Sequence, residues 1–402
     1  MIKISIHDLF QNSVSLFIFL LFGFALSAQH SYKGQLIDTA YVEIIPYRFV
    51  EGKILIPVQI EEHTYWFILD TGGELIVSPR IREAHQLKKS GHARVRGVNN
   101  TRQKLPKIQF PDIRIGNLTF SKYEGIVSDF FDRYPASCIG ADGITGRDFL
   151  KNTCIQFDHP NRRIVLTDQP DKLALKGHTV STITFSGSGS PQIPVSVNDQ
   201  APEMVLFDSG SDDLFSFQRA VAEQFHANKW TWKGSTSYGI NMQPAKYERQ
   251  YMVELDSVNI AGAVFRQCRT DVSKESRSRV GTRILHYGLV TIDFIQQRYY
   301  FKAFPDSVFA QDVRSFGLAL EIRDQGYTVR AVLDGSEADQ AGIVPGTMIR
   351  SIDGYTPGND REEHCAQYRN GHPWKDKDAV EVFFVDQKGK EQKTILNLIW
   401  RE

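Results

Sequence analysis

The 402-residue chain reads as a mainly β protein, with two similar β-rich lobes and a C-terminal β module of different pattern. Three observations predict this. A strand–turn–strand segment ending in an aspartate occurs twice. A glycine-led segment downstream of each also occurs twice, at one offset. After Phe304-Pro305 the sequence matches neither repeat. Internal self-similarity of this kind marks repeated structural units.

The first copy runs Ile56-Pro57-Val58-Gln59-Ile60, a polar turn, then Trp66-Phe67-Ile68-Leu69-Asp70-Thr71-Gly72-Gly73. The second runs Ile193-Pro194-Val195-Ser196-Val197, a turn at Asn198-Asp199, then Val205-Leu206-Phe207-Asp208-Ser209-Gly210-Ser211. Downstream, Gly146, Leu150 and Asp158 correspond to Gly281, Leu285 and Asp293, each pair 135 residues apart. The Asp70–Asp208 offset is 138, so a few residues were gained or lost between the copies. Apolar or alternating runs predict strands over Val42–Phe49, Ile54–Ile60 and Tyr65–Leu69, mirrored by Thr179–Phe185, Gln192–Val197 and Met204–Phe207. Helical periodicity is confined to short pieces such as Pro79–Lys89 and Phe217–Ala227. Ser186–Ser190, rich in Ser and Gly, falls between two strands and is expected as a hairpin tip within the second lobe.

Composition narrows the function classes. With 47 basic and 47 acidic side chains, the chain has no overall charge to attract nucleic acid or an anionic membrane, so neither is expected as a partner. The apolar fraction of 41% and charged fraction of 23% are those of a globular protein rather than a disordered one. Val14–Leu26 is almost entirely apolar, follows Lys3 and precedes small residues ending at Ala28. That order predicts a signal peptide over residues 1–28, too short for the roughly 20 residues a membrane span needs. The expectation is an exported protein, periplasmic or secreted, with no stable membrane span after cleavage. Lobes over 29–172 and 173–306 and a module over 307–402 would follow. Of the four cysteines, Cys138 and Cys154 could pair across a short loop in an oxidising compartment, or all could be buried thiols. They form no CxxC pair and no Cys/His cluster of zinc spacing, so no metal site is expected.

Asp-Thr/Ser-Gly at a strand end is ordinary turn chemistry when it occurs once. Twice, after matching strands, it has a sharper use. Glycine lets backbone N–H groups approach the carboxylate, and the Thr71 and Ser209 hydroxyls can bond across to the partner loop. Two facing carboxylates cannot both ionise, so one shared proton leaves a general base beside a general acid, and the pair titrates as a unit. A water held between them can attack a peptide carbonyl without a cofactor.

On these residues the chain resembles the two-lobed aspartic proteases, the first lobe being most similar to the bacterial retropepsin-like branch. The resemblance spans roughly residues 40–304. It implies two β-barrel-like lobes with the active site between them, Asp70 and Asp208 as the catalytic pair, and Thr71, Gly72, Ser209 and Gly210 as the residues supporting it. Ile144-Thr145-Gly146 matches the apolar-apolar-Gly element beneath each catalytic loop. The implied substrate is an extended polypeptide, and a monomer suffices because both aspartates lie in one chain. Three features depart from the pattern. Gly73 stands where the family carries Ala, Ser or Thr, whereas Ser211 keeps the hydroxyl in the second lobe. Arg279-Val280-Gly281 is a poorer glycine element than its partner, and no flap tyrosine is readable. Covering hairpins are expected from Arg94–Lys104 and Ser237–Lys246.

The C-terminal residues, about 308–402, are similar to a PDZ domain. The resemblance rests on Ser315-Phe316-Gly317-Leu318, on Gly335-Ser336-Glu337-Ala338-Asp339-Gln340-Ala341-Gly342, which fits a short capped helix ended by glycine, and on Ile352-Asp353-Gly354, a strand entering a tight turn. It implies Phe316, Gly317 and Leu318 as a carboxylate-binding loop, Arg361–Tyr368 as the groove helix, and a C-terminal peptide as ligand, added as a strand at the sheet edge. The alternative function is a catalytically inactive protease-fold binding protein acting through that groove. No HExxH, GxSxG, GxxxxGK[ST] or strand-borne GxGxxG motif is present, and Asp208–Asp213 fails as a calcium loop because its third position is Gly210.

Overall fold

The computed structural model describes residues 34–96, 102–134, 136–218, 229–234, 250–273, 277–305, 315–323, 326–356, 360–374 and 376–399. The expected signal peptide lies outside them, as do the Ser237–Lys246 hairpin and residues 219–227 of the second expected helix.

In chain order the elements that position the site are β1 (Val42–Pro46), β2 (Lys53–Ile60), β3 (His63–Asp70), β4 (Ile76–Val77), α1 (Pro79–Ala84), β5 (Lys89–Arg96), β6 (Arg102–Gln109), β7 (Glu124–Val127), α2 (Ala136–Ile139), β8 (Gly143–Gly146), α3 (Arg147–Leu150), β9 (Cys154–Asp158) and β10 (Arg163–Thr167). The second repeat gives β11 (Pro191–Val197), β12 (Glu203–Phe207), β13 (Phe215–Gln218), β14 (Lys229–Gly234), β15 (Gln250–Ile260), β16 (Ala263–Ser273), β17 (Arg279–Val280), β18 (Gly288–Asp293) and β19 (Arg298–Ala303). The C-terminal residues form β20 (Leu318–Arg323), β21 (Gly326–Leu333), α4 (Glu337–Gln340), β22 (Met348–Ile352), α5 (Arg361–Asn370), β23 (Ala379–Val385) and β24 (Glu391–Asn397).

The duplication is visible as matched pairing. In the first repeat, β3 lies between antiparallel β2 and parallel β8, with Gly146 opposite Asp70. In the second, β12 lies between antiparallel β11 and parallel β17, with Val280 opposite Phe207. A parallel neighbour at the aspartate end supplies backbone partners on both sides and holds the turn that follows. Both repeats then donate strands to one six-stranded sheet, in which β9 and β10 pair with β18 and β1. The apolar faces of both repeats merge into one core containing Phe67, Phe157, Phe207, Phe265 and Tyr299. The repeats therefore share a sheet as well as a core, their strands lying side by side and meeting where β9 pairs with β18.

Several expected elements move. Val42–Phe49 divides: β1 joins the six-stranded sheet, while Arg48–Val50 pairs with β2. The helix expected to reach Lys89 ends at Ala84, because Gln86 takes a positive φ of 50° and Lys89 opens a strand. Phe217-Gln218 belongs to a strand parallel to β16, not to a helix. Phe215, Ser216 and Phe217 are buried in succession, and so short a buried apolar run cannot be told from one helical turn by periodicity. Ser186–Ser190 is a hairpin tip, closed by Ser186 N–H donating to the Ser190 carbonyl at 2.9 Å. Arg94–Lys104 falls in the β5–β6 hairpin, paired up to Arg96 and Arg102.

The C-terminal residues have their own core around Tyr327, Val329, Ile349 and Val382, yet they are attached in two places. Strand β14 pairs with β21, so one sheet runs from the second repeat into the C-terminal strands. Cys138 in α2 is bonded to Cys365 in α5 across 227 residues. Neither sequence alternative for the cysteines holds in full: Cys154 does not pair with Cys138 but lies buried in the six-stranded sheet, and Cys154 and Cys268 are free thiols. Closeness in sequence misled here because α2 packs on α5, where Arg369 also donates to the Cys138 carbonyl at 3.2 Å. A non-reducing peptide map is expected to link the Cys138 and Cys365 peptides. Cys365→Ser should lower stability by about 3–5 kcal/mol in urea titration, given the length of the closed loop.

Candidate active site

The two Asp-Thr/Ser-Gly turns meet. Each begins where a strand ends, and each closes on itself in the same way: Gly73 N–H donates to the Asp70 carbonyl at 2.9 Å, and Ser211 N–H to the Asp208 carbonyl at 3.0 Å. The next residues cross over. Thr71 N–H donates to Ser209 Oγ at 2.9 Å and Ser209 N–H to Thr71 Oγ1 at 3.1 Å. Each hydroxyl in turn donates to the opposite strand, Thr71 to the Phe207 carbonyl at 2.8 Å and Ser209 to the Leu69 carbonyl at 2.7 Å. Thr71 and Ser209 are 0% exposed, so the four bonds form in a low-dielectric setting where losing one leaves a buried polar group unpaired.

This grip sets the carboxylates side by side. Asp70 Oδ1 accepts from Gly72 N–H at 2.8 Å and Asp208 Oδ1 from Gly210 N–H at 3.0 Å. A Cβ at Gly210 would stand 2.6 Å from Asp70 Cγ, so only glycine lets the second loop pass this close to the first loop's carboxylate. A Cβ at Gly146 would strike the Asp70 carbonyl at 1.5 Å, and one at Gly281 the Asp213 carbonyl at 2.4 Å. Those two glycines are the floor of the two aspartate turns.

Electrostatics follow from the geometry. Burial first, and the neighbouring Asp208 charge second, push the Asp70 carboxyl up to about 7, against the pull of the Gly72 N–H and Lys53. A hydrogen bond with Asp208 adds to the rise, the arrangement of two carboxyls sharing a proton.

Asp70, Thr71, Gly72, Asp208, Ser209 and Gly210 are thus brought together. Ser211 is placed differently from the expectation: its hydroxyl donates to Asp213 Oδ2 at 3.3 Å. Gly73 has a structural reason, since a Cβ there would lie 2.7 Å from Asp70 Oδ2. Phe316, Gly317 and Leu318 are not part of this site. They belong to the C-terminal module, where Phe316 and Leu318 pack on its core, Gly317 has φ of 77° and its N–H bonds Ser315 Oγ at 3.0 Å.

Sequence reasoning missed a set of braces on the turn carbonyls. Lys53 donates to the Gly210 carbonyl at 2.7 Å and pairs with Asp212 at 2.8 Å. Ser190 donates to the Gly72 carbonyl at 3.3 Å, which also accepts from Arg147 at 2.8 Å, and Arg147 pairs with Glu74. Thr282 donates to the carbonyls of Gly52 at 2.6 Å and Ser211 at 3.1 Å. The signal was present. Lys53 and Ser190 are 137 apart, the offset of Pro57 and Pro194, and Arg147 and Thr282 are 135 apart. Lys53 and Ser190 brace the equivalent carbonyls of Gly210 and Gly72 with different side chains, whereas Arg147 and Thr282, at equivalent positions, brace different carbonyls of their own repeats' turns.

Two outcomes are expected. Thr71→Ala strips Ser209 N–H of its acceptor and Phe207 of its donor; urea unfolding should show a loss of about 2 kcal/mol, mostly recovered in Thr71→Ser. Asp70 titrates in the fold above its ordinary value of 3.8, so its contribution to stability is complete below that value and is lost as pH rises through about 7. Asp70→Asn should therefore melt a few degrees above wild type at neutral pH, the gap closing on acidification below about pH 4.

Similarity to known proteins extends over part of the chain. No curated protein matches the sequence. Among solved structures, the chain is similar to an aspartic proteinase from Irpex lacteus, with 13% identity and a TM-score of 0.43 over 66% of this chain and 98% of that one. It is also similar to Basic 7S globulin from soybean, with 13% identity and a TM-score of 0.39 over 65% of this chain and 95% of that one. A family model described as aspartyl protease matches residues 56–149, which run from the first hairpin through Asp70 to Gly146 and the helix after it: the first repeat has an aspartyl protease-like fold, and the second reproduces its Asp-Thr/Ser-Gly turn.

Proposed function

We propose that the chain is an exported aspartic endopeptidase acting on extended polypeptides. The observation that carries the reading is the crossed Thr71–Ser209 grip, which brings Asp70 and Asp208 together as a buried pair. Two carboxyls with one proton between them supply both halves of amide hydrolysis. The ionised member takes a proton from water as its oxygen adds to the peptide carbonyl, while the protonated member gives its proton to the carbonyl oxygen. Collapse of the resulting gem-diol breaks the C–N bond, with a proton passing to the leaving nitrogen. The substrate lies between the repeats, beneath the β5–β6 hairpin, and one chain suffices.

Export is supported by the Cys138–Cys365 bond, since disulfides persist in oxidising compartments. The C-terminal residues serve as a PDZ-type module aiding recognition of substrate or partner. The features behind this are α4 capped by Ser336 accepting from Asp339 N–H, the tight turn in which Tyr355 N–H donates to the Ile352 carbonyl, and β20, which pairs only with β21 among the described residues. An edge strand of this kind accepts an extended peptide. Because this module shares a sheet and a disulfide with the rest of the chain, its removal would expose β14 and unpair Cys138. Ligand titration is the cleaner test: C-terminal peptides with a free carboxylate should bind and their amidated forms should not, and equal binding would sink the module's role.

The protease reading is tested with protein beginning at Gln29, incubated with a diverse peptide mixture from acidic to neutral pH and read by mass spectrometry. Cleavage is expected in wild type and a loss of at least about 1000-fold in both Asp70→Asn and Asp208→Asn. Absence of cleavage by folded wild type at every pH would overturn it in favour of a binding protein that keeps the fold.

A further inference from the structure

The two halves of the site are nearly symmetric in backbone and clearly unsymmetric in charge. At the position two residues before each supporting glycine, the first repeat has Ile144 and the second has Arg279, 135 residues on. Ile144 is 4% exposed within an apolar cluster. Arg279 sets its Nη1 3.7 Å from Asp208 Oδ2, with both side chains largely buried, and its Nε has no hydrogen-bond partner among the described residues. Lys53, which donates to the Gly210 carbonyl, acts instead on Asp70 and pulls its carboxyl down, a weaker influence than burial and the Asp208 charge that push it up.

We infer that Arg279 is a positioning residue that keeps the negative charge of the half-protonated pair on Asp208, so that the shared proton sits on Asp70. Asp208 then acts as base toward water and Asp70 as acid toward the carbonyl oxygen. This deepens the protease reading and rests on it.

The other charges around the pair do not reverse this order. Lys53 is matched by Asp212, on which Arg283 also acts and which Glu51 faces. Arg147 is matched by Glu74 and lies 3.7 Å from Asp148. Asp213 faces Arg279, but burial and then the Asp212 charge push its carboxyl up, so it offsets the guanidinium less as the medium becomes acidic. On the Asp70 side, no cation among the described residues forms an ion pair with the carboxylate.

The position of the charge has a consequence for titration. Removing the first proton from the pair creates a carboxylate next to Arg279, whereas removing the second creates one on Asp70, farther from it. A cation placed this way lowers the first apparent midpoint more than the second and widens the pH range of the half-protonated state.

The test is a carboxyl-carbon NMR titration of aspartate-labelled protein in wild type, Arg279→Met and Arg279→Lys, with Asp70→Asn and Asp208→Asn used to assign the signals. The methionine variant should raise the lower midpoint of the pair by about one pH unit and the upper by less, and lysine should restore most of the difference. If the methionine variant fails to fold, Arg279→Gln takes its place as the neutral variant. A lower midpoint that does not move, or an upper midpoint that moves more, overturns the inference. Where peptides are cleaved, the acid limb of the rate profile should shift with the lower midpoint. If nothing is cleaved while the titration behaves as expected, the protease reading falls and the charge assignment stands; if cleavage persists with an unshifted profile, the assignment alone falls.

Discussion

The structure depends on one cyclic interaction, four hydrogen bonds exchanged by Thr71 and Ser209 with each other and with the strands that carry the opposite aspartates. Each bond is neutral and of ordinary length, worth about 1 kcal/mol net if considered alone. Their importance lies in burial and closure. With both residues fully buried, no donor can turn to water, so the two turns hold one another at a fixed separation. The carboxylates then have no freedom to part. Burial and mutual repulsion, which would otherwise separate Asp70 from Asp208, are converted into a shared proton instead.

That cycle needs a rigid frame on both sides, and the strand order supplies it. Parallel neighbours β8 and β17 enter beside β3 and β12, and their glycines let the backbone pass beneath each turn without a side chain in the way. The six-stranded sheet built from both repeats ties the frames together. A change in the angle between the repeats would therefore have to break sheet hydrogen bonds and open a shared apolar core, not merely swing a linker.

Much of this was legible because duplication turns weak signals into strong ones. Asp-Thr-Gly alone is a turn, but the second copy after matching strands located the two turns that meet and the glycines beneath them. What was not legible came from contacts without a local signature. The Cys138–Cys365 bond depends on α2 docking against α5, which no spacing within the first repeat reveals. The pairing of β14 with β21 is a choice of neighbour, and an amphipathic strand does not name its neighbour. Lys53 and Ser190 could have been found by extending the repeat offset to residues that differ between the copies. Attention to identical residues concealed them, since their shared role is carried by unlike side chains.

Those unlike side chains are where symmetry gives way to direction. Two equivalent carboxylates on a two-fold frame would divide the proton evenly, and neither would be committed to water or to the carbonyl oxygen. Arg279 against Ile144 and Ser211 against Gly73 add a charged or polar group in the second repeat, whereas Lys53 against Ser190 and Arg147 against Thr282 place the charged member in the first. Among the described residues Arg279 forms an ion pair with Asp208 and no cation forms one with Asp70, whereas the hydroxyl grip and the supporting glycines remain matched. The backbone thus retains the symmetry that brings the aspartates together, and the side chains around it break that symmetry in charge.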